Sequence, residues 1–405
     1  MKAGWEIKSF AEIAEVKGGK RLPKGYSLQS IPTAHSYITV SDFTDDGTVD
    51  ISRIRYISDE IFEEIKRYTI STKDLYLSIA GTIGKTGRIP PELDGANLTE
   101  NACKLVFYPK INRDYVYYFT LSNDFIEQAG LHTRTAAQPK LALERLKTIK
   151  LAIPNSEAEQ QRIVAILDEA FEAIAAARAN AEQNRQNARA LFESYLQSVF
   201  SQRGDGWRDS GNVLSSMCEL IVDCEHKTAP TQDEGFPSIR TPNIGKGKLL
   251  LDNVKRVSEE TYLAWTRRAV PLPGDLIFAR EAPAGNVAVV PDGLQPCLGQ
   301  RTVLIRPKKE AFDSLFLTYL LLSPSMQEHL LSHSKGSTVQ HINMKDIRAL
   351  RLGCIPPIRE QRELAQRITD CSMYFERLES IYQRKVAALD ELKQSLLQQA
   401  FSGQL

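Results

Sequence analysis

The chain repeats itself at an offset of 201 residues. DLYLSIAGTIGKTGRIP at 74–90 is followed 201 positions later by DLIFAREAPAGNVAVVP at 275–291. Each reads as a strand, a glycine-containing turn and a second strand ending at proline. The same offset lays LKTIKLAIPNSEAEQQRIVAILDEA (146–170) over IRALRLGCIPPIREQRELAQRITDC (347–371), with Glu159-Gln160 falling on Glu360-Gln361. Only the Ile-Pro step slips, by one residue. A third agreement comes where YLQSVF ends at Phe200 and LLQQAF at Phe401. Three segments in one order at one offset define a tandem duplication.

Each copy has the same internal plan. A block of mixed strand and helix, 1–150 or 206–355, is followed by a helical block, 151–205 or 356–405. Within the first block SYITVSDF and NACKLVFYP read as strands, and RDYVYYFTLSNDFIEQAG as one helix stopped by glycine. The helical blocks are expected over about Glu157–Phe200 and Arg359–Phe401, with no Pro or Gly inside. At 1.5 Å per residue, ~44 residues make a rod of roughly 65 Å, which points to a coiled coil. Apolar residues alternate at steps of three and four. In the first rod they are Ile163, Leu167, Ala170, Ile174, Ala177, Ala181, Ala188, Leu191 and Tyr195, interrupted by Asn184. In the second they are Leu364, Ile368, Cys371, Phe375, Leu378, Tyr382, Leu389, Leu392 and Leu396, interrupted by Lys385. Small residues in one rod against large ones in the other suit close packing. Antiparallel pairing within the chain would bring Ala177 and Ala181 near Leu378 and Tyr382. Packing of each rod on its own globular block, or on a partner, stays open. The expected class is α+β: two repeated mixed domains, each followed by a long helix.

Composition and motifs exclude more than they assign. An apolar content of 42% with 25% charged residues is that of a soluble globular protein. No apolar run approaches the ~20 residues of a membrane helix. The N-terminus MKAGWEIKSF lacks a signal-peptide core, so the cytoplasm is expected. Six cysteines are scattered without a CxxC pair, and CELIVDCEH at 218–226 finds no second ligand cluster, so no metal is expected. GTIGKT at 81–86 resembles a phosphate-binding loop, but Ile79 stands where the first glycine of such a loop belongs, and the repeat replaces Lys85 by Asn286. No dinucleotide, methyl-transfer or nuclease motif is found, so the chain is not expected to be an enzyme or to bind a cofactor itself.

What remains is loop chemistry suited to a polyanion. Net charge is only +1, yet each mixed block is about +2 while the helical blocks are acidic or neutral. VKGGKRLPKG at 16–25 gathers Lys17, Lys20, Arg21 and Lys24 with three glycines. TRTAAQPK (133–140) supplies Arg134, Gln138 and Lys140, and SKGSTVQHIN (334–343) supplies Lys335, Gln340 and His341. Gln138 and Gln340 can pair with adenine edges and Arg134 with guanine. ANLTEN and CLGQR add Asn101, Gln300 and Arg301; the hairpin turns add Thr82, Lys85, Arg280 and Asn286. Lys227, Arg240 and Asn243 complete the candidate set.

GGKRLPKG, LSIAGTIGKTG, ANLTEN, QPKLALERLKTIKLAIP and IPNSEAEQQRIVAILDEA, with the looser IPPIREQRELAQRITD, resemble the specificity subunit of type I restriction–modification systems across the whole chain. The resemblance implies that 1–150 and 206–355 are target recognition domains, each reading half of a bipartite asymmetric DNA sequence. It implies that the helices pair as an antiparallel coiled coil that sets the gap between halves. It also implies docking of two methyltransferase subunits carrying S-adenosylmethionine, and of restriction–translocase subunits using ATP and Mg. A type IIB-like or methylation-only system, or a coiled-coil scaffold that does not touch DNA, stays open. FAREAPAGNV departs from the GTIGK wording, so residue transfer is weaker in the second copy.

Overall fold

Among the described residues, eighteen short strands form the same three sheets twice. The computed structural model describes residues 2–130, 140–202, 204, 206–209, 211, 213–332 and 341–405. The chain divides into unit 1, Met1–Ala181 with Arg384–Leu405, and unit 2, Glu182–Gln383.

Unit 1 contains β1 (Trp5–Ser9), β2 (Ala14–Gly18), β3 (His35–Ile38), β4 (Arg55–Ile57), β5 (Leu75–Ser78), β6 (Thr86–Arg88), β7 (Asn97–Leu98), β8 (Ala102–Phe107) and β9 (Lys150–Pro154). β2-β8-β5-β6 is a four-stranded antiparallel sheet, β4-β3-β7 a three-stranded mixed one, and β1 pairs with β9. β5 is buried at every position because both its faces are covered. On one side lie Phe10, Tyr115, Phe119 and Phe125 with Ile163 and Leu397; on the other lie Ile38, Phe43 and Tyr76. The β5–β6 turn closes through Gly81 and Gly84, both in the left-handed region at φ 77° and 93°.

The segment expected as one helix is two, Arg113–Thr120 and Asn123–Ala129. Ser122 makes the break: its hydroxyl caps the second helix at Phe125 N, 3.3 Å away. Gly130, at φ 71°, ends it as expected. SYITVSDF is a strand only as far as Ile38, because the Asp42 carboxylate takes the Thr39 N–H at 2.6 Å and turns Val40–Asp42 into a 3-10 helix.

Unit 2 repeats the plan with β10 (Arg208–Asp209), β11 (Cys218–Asp223), β12 (Phe236–Ile239), β13 (Arg256–Val257), β14 (Leu276–Ala279), β15 (Val287–Val289), β16 (Cys297–Leu298), β17 (Thr302–Pro307) and β18 (Cys354–Ile355). The sheets are β11-β17-β14-β15, β13-β12-β16 and β10-β18, strand for strand those of unit 1. Phe316, Leu317, Phe278 and Ile305 occupy its main core.

The long helices run Glu157–Ser201 and Ile358–Ser402, one residue or none from their expected ends. They pair antiparallel. In unit 1 Arg178 meets Asp390 at 3.3 Å, and the Lys393 ammonium sits 4.8 Å from the Phe171 ring centroid. In unit 2 Arg189 meets Glu379, Phe192 packs on Phe375, and Leu196 clusters with Ile368. The register corrects an expectation, because Arg178 faces Asp390 where the seam argument set its neighbour Ala177 by Leu378. Ile163, Leu167, Ile174, Ala181 and Ile368 are buried, the first two within the core of unit 1, and Ala177, Leu364, Phe375, Leu378, Tyr382 and Leu389 are partly buried.

Leu191 and Leu392 break the pattern: they are 58% and 46% exposed. Beyond Ala181 the inward positions are Arg185, Ala188, Phe192 and Leu196; beyond Tyr382 they are Val386, Leu389, Lys393 and Leu397. Both seams thus slip by one residue, at Asn184 and at Lys385. An α-helix turns every 3.6 residues and drifts ~20° per heptad from a 3.5-residue stripe, so a buried face that follows the helix's own period moves to the adjacent stripe.

Candidate nucleic-acid interface

The glycine pair of GGKRLPKG packs the domain together. A Cβ on Gly19 would stand 2.1 Å from the Thr99 carbonyl oxygen, so only glycine lets the end of β2 reach β7. In unit 2 the close approach lies at a different strand end, where a Cβ on Gly299, just after β16, would lie 2.5 Å from Arg240, just after β12. From Gly19 the chain leads into exposed Lys20, Arg21 and Lys24. Arg21 is bound to Glu100 at 2.6 Å, Lys17 to Glu15 at 2.7 Å, and Lys140 donates to the Glu100 carbonyl oxygen. Partial burial of the Glu100 carboxyl opposes its ionisation, but hydrogen bonds from Arg21 and Thr99 outweigh it and hold the group below the usual carboxylate range. Lys20, Arg21, Lys140 and Glu100 therefore come together around β7.

Lys85 lies elsewhere. Its ammonium bonds the Asp45 carboxylate at 2.7 Å and the Phe43 carbonyl oxygen at 3.3 Å, tying the β5–β6 turn to the 43–45 loop. Thr82 is exposed at that turn, and Asn101 accepts the N–H groups of Ile79 and Ala80 with its main-chain oxygen. Arg134, Gln138, Lys335 and Gln340 lie outside the described residues. The far ends of their loops are anchored alike, since Leu141 N donates to Ile79 O at 2.8 Å and Ile342 N to Arg280 O at 3.0 Å.

In unit 2 the candidate residues split. Lys227 and Arg240 are exposed. Asn243 and Asn286 hold carbonyl oxygens of Leu250 and Ile244, so they shape the 241–250 loop, and Gln300 reaches the His226 carbonyl oxygen at 3.4 Å. Arg280 is buried, with Asp223 at 2.7 Å, the Ile342 carbonyl oxygen at 3.0 Å and His341 Nε2 at 3.0 Å. A guanidinium can only donate, so His341 accepts at Nε2 and donates from Nδ1 to Glu281 at 2.8 Å. Arg301, at φ 66°, reaches the same Glu281 at 3.3 Å. Arg280, His341 and Arg301 are thus joined in one network with Asp223 and Glu281. The 201-residue offset brought these residues to attention; their mutual pairing had no signal in the sequence.

Sequence reasoning missed Arg67 and Lys104, which meet Lys17 around a cavity of about 200 Å³. A periodicity argument reads Lys104 as the polar position of an alternating strand, and only the ladder shows that it stands opposite Lys17. Among the described residues, no cluster of His, Cys, Asp or Glu is arranged to hold a metal ion, and no helix is long and apolar enough to cross a membrane.

Two similar domains, each built on the same three sheets and each leading into a long helix, define a duplicated module. Residues 2–183 and 225–382 match the family described as type I restriction modification DNA specificity domain, and the chain belongs to that family. The chain is similar to the Escherichia coli type I restriction enzyme EcoBI specificity subunit, 23% identical over 70% of this chain and 60% of that one, which is less than two thirds of the relative's length. A chain solved in a study of complex assembly and conformational transition of the type I R-M system superposes with a TM-score of 0.76 at 19% identity, covering 100% and 99% of the two chains. The HsdS subunit from Thermoanaerobacter tengcongensis superposes at 0.57 with 18% identity, covering 100% and 98%.

Proposed function

We propose that the chain is the non-catalytic specificity subunit of a type I restriction–modification complex in the cytoplasm. The observation that carries this is the family match to both copies of a duplicated architecture. In this reading 1–150 and 206–355 are the recognition domains, and each reads one half of a split, asymmetric duplex site. The paired helices of 151–205 and 356–405 set the gap between halves. Two methyltransferase subunits bring S-adenosylmethionine, and restriction–translocase subunits bring ATP and Mg. Two modules on one scaffold gain affinity and specificity through effective concentration, which one module reading a few base pairs lacks.

Genome-wide mapping of methylated adenine in the host tests the reading. It should reveal a split motif that disappears when this chain is deleted. Exchange of 1–150 for the equivalent block of a relative should then change one half-site and leave the other. A change in both halves, or methylation indifferent to this chain, overturns the assignment.

A further inference from the structure

The cavity beside Gly19 in unit 1 is lined by Lys17, Arg67, Tyr68, Leu98 and Lys104. We propose that it seats one backbone phosphate of the DNA half-site read by the first domain, which rests on the reading of the chain as a DNA specificity subunit.

Lys17 on β2 and Lys104 on β8 are direct antiparallel partners, so both side chains rise from the same face of the sheet. Like charges directly opposite each other destabilise a sheet. Their countercharges are incomplete. Lys17 has exposed Glu15 at 2.7 Å; Lys104 has Asp74 at 3.5 Å, and Asp74 also accepts the Ser71 N–H at 3.0 Å. Arg67 is exposed and, among the described residues, makes no ion pair or side-chain hydrogen bond. Three cations around two carboxylates leave the cavity positive. Lys20, 5.7 Å from the Tyr68 ring centroid, adds to the field.

The fold does not require this charge. In unit 2 the same ladder position holds Val222 opposite Leu304, on the strands that correspond to β2 and β8. The register is secure, because the preceding residues Cys103 and Val303 each pair with the third residue of the hairpin strand, Leu77 and Phe278. An apolar pair serves the sheet there, and Arg306 holds Asp275, the counterpart of Asp74, at 2.7 Å; in unit 1 Lys104 does that work, whereas Lys17 and Arg67 have no buried countercharge and answer to something outside the sheet. Size narrows the ligand. About 200 Å³ is below the 300–1,000 Å³ of ordinary small-molecule pockets, but it admits a phosphate group. A guanidinium fork with two ammonium groups is a donor set suited to phosphate oxygens.

The test uses the full chain with its methyltransferase on a duplex carrying the mapped motif. Each phosphate contact contributes about 0.9 to the slope of log affinity against log salt. Arg67→Gln, an exposed substitution, should lower that slope by about 1 and leave the bases read unchanged. Replacing single phosphates by neutral methylphosphonates should weaken wild-type binding at one position in the first half-site, and Arg67→Gln should abolish that sensitivity. Lys17→Val, copied from unit 2, should melt no lower than wild type without DNA yet show the same reduced slope; Lys104 is kept, because it is the ion-pair partner of buried Asp74. An unchanged slope and methylphosphonate profile overturn the phosphate seat, even where inorganic phosphate binds the cavity. A wild-type complex that selects no split motif overturns the specificity reading itself, and the seat with it.

Discussion

The side-chain oxygen of Gln160 accepts the backbone N–H of Asn112 at 2.8 Å, while its amide donates to the carbonyl oxygens of Pro154 and Lys110. Gln361 does the same with Asp313 N, Pro356 O and Ala311 O. Both glutamines are 1% exposed, at the start of a long helix. Each clamps its helix to the preceding strand and to the N-cap of a core helix, since Asn112 caps at Asp114 and Tyr115, and Asp313 at Leu315 and Phe316. The duplicated Glu-Gln is therefore a joint between module and rod.

Removal of that joint should be costly. Gln160→Ala leaves a buried donor and two buried acceptors without partners, each worth roughly 1–3 kcal/mol. We expect a loss of at least about 2 kcal/mol in denaturant unfolding, and the same for Gln361→Ala. Gln160→Glu should fail to rescue, because a carboxylate cannot donate to Pro154 and Lys110.

The stripe change in the rods predicts opposite outcomes for neighbouring residues. Leu191→Gln and Leu392→Gln alter exposed positions and should change stability by no more than about 0.5 kcal/mol. Leu196→Ala and Leu397→Ala empty sites that are 2% and 0% exposed, and should cost about 2–5 kcal/mol. Equal costs for Leu191 and Leu196 would restore the unbroken heptad.

The thiols predict a pH dependence. Burial pushes Cys103 and Cys218 each up to about 12 from an ordinary value of 9.0. The unfolded chain releases these protons first, so their contribution to stability is complete below pH ~9 and is lost as pH rises from there toward 12. Urea midpoints should fall across that window, and less so in Cys103→Ala. At pH 8 a thiol reagent should label partly exposed Cys354 and Cys371 first and the four buried cysteines only on unfolding.

The outline of this fold was legible because repetition and period are properties of a sequence. The 201-residue offset announced that the elements of one copy recur in the other, and the absence of Pro and Gly marked both rods to within a residue or two. The phase of the rods was not legible past Ala181, because polar Asn184 and Lys385 interrupt the apolar stripe and the sequence does not say which adjacent stripe resumes beyond them. The candidate site was half legible. Arg21, Lys140 and Glu100 converge through motifs that a reader can mark, whereas the convergence of Lys17, Lys104 and Arg67 depends on strand register, which is set by contacts far apart in the chain.

Arg280 shows the same limit and yields the last prediction. It occupies the place of Ile79, since each donates its N–H to the β7- or β16-side loop and accepts from the returning chain at Leu141 or Ile342. Asp223 correspondingly takes the ladder position of Gly18. The second copy has thus gained a buried ion pair where the first has neither charge. Deleting one partner of such a pair strands the other, and Asp223→Ala should cost about 3–5 kcal/mol. Adding Arg280→Ile, the first copy's residue, should recover most of that loss, so a double-mutant cycle should give a coupling of at least about 2 kcal/mol. If Arg280 serves the fold, the proposed complex built with the double variant still directs methylation to the same split motif. If instead it reads a base, stability is recovered but the second half-site loses its definition at one position.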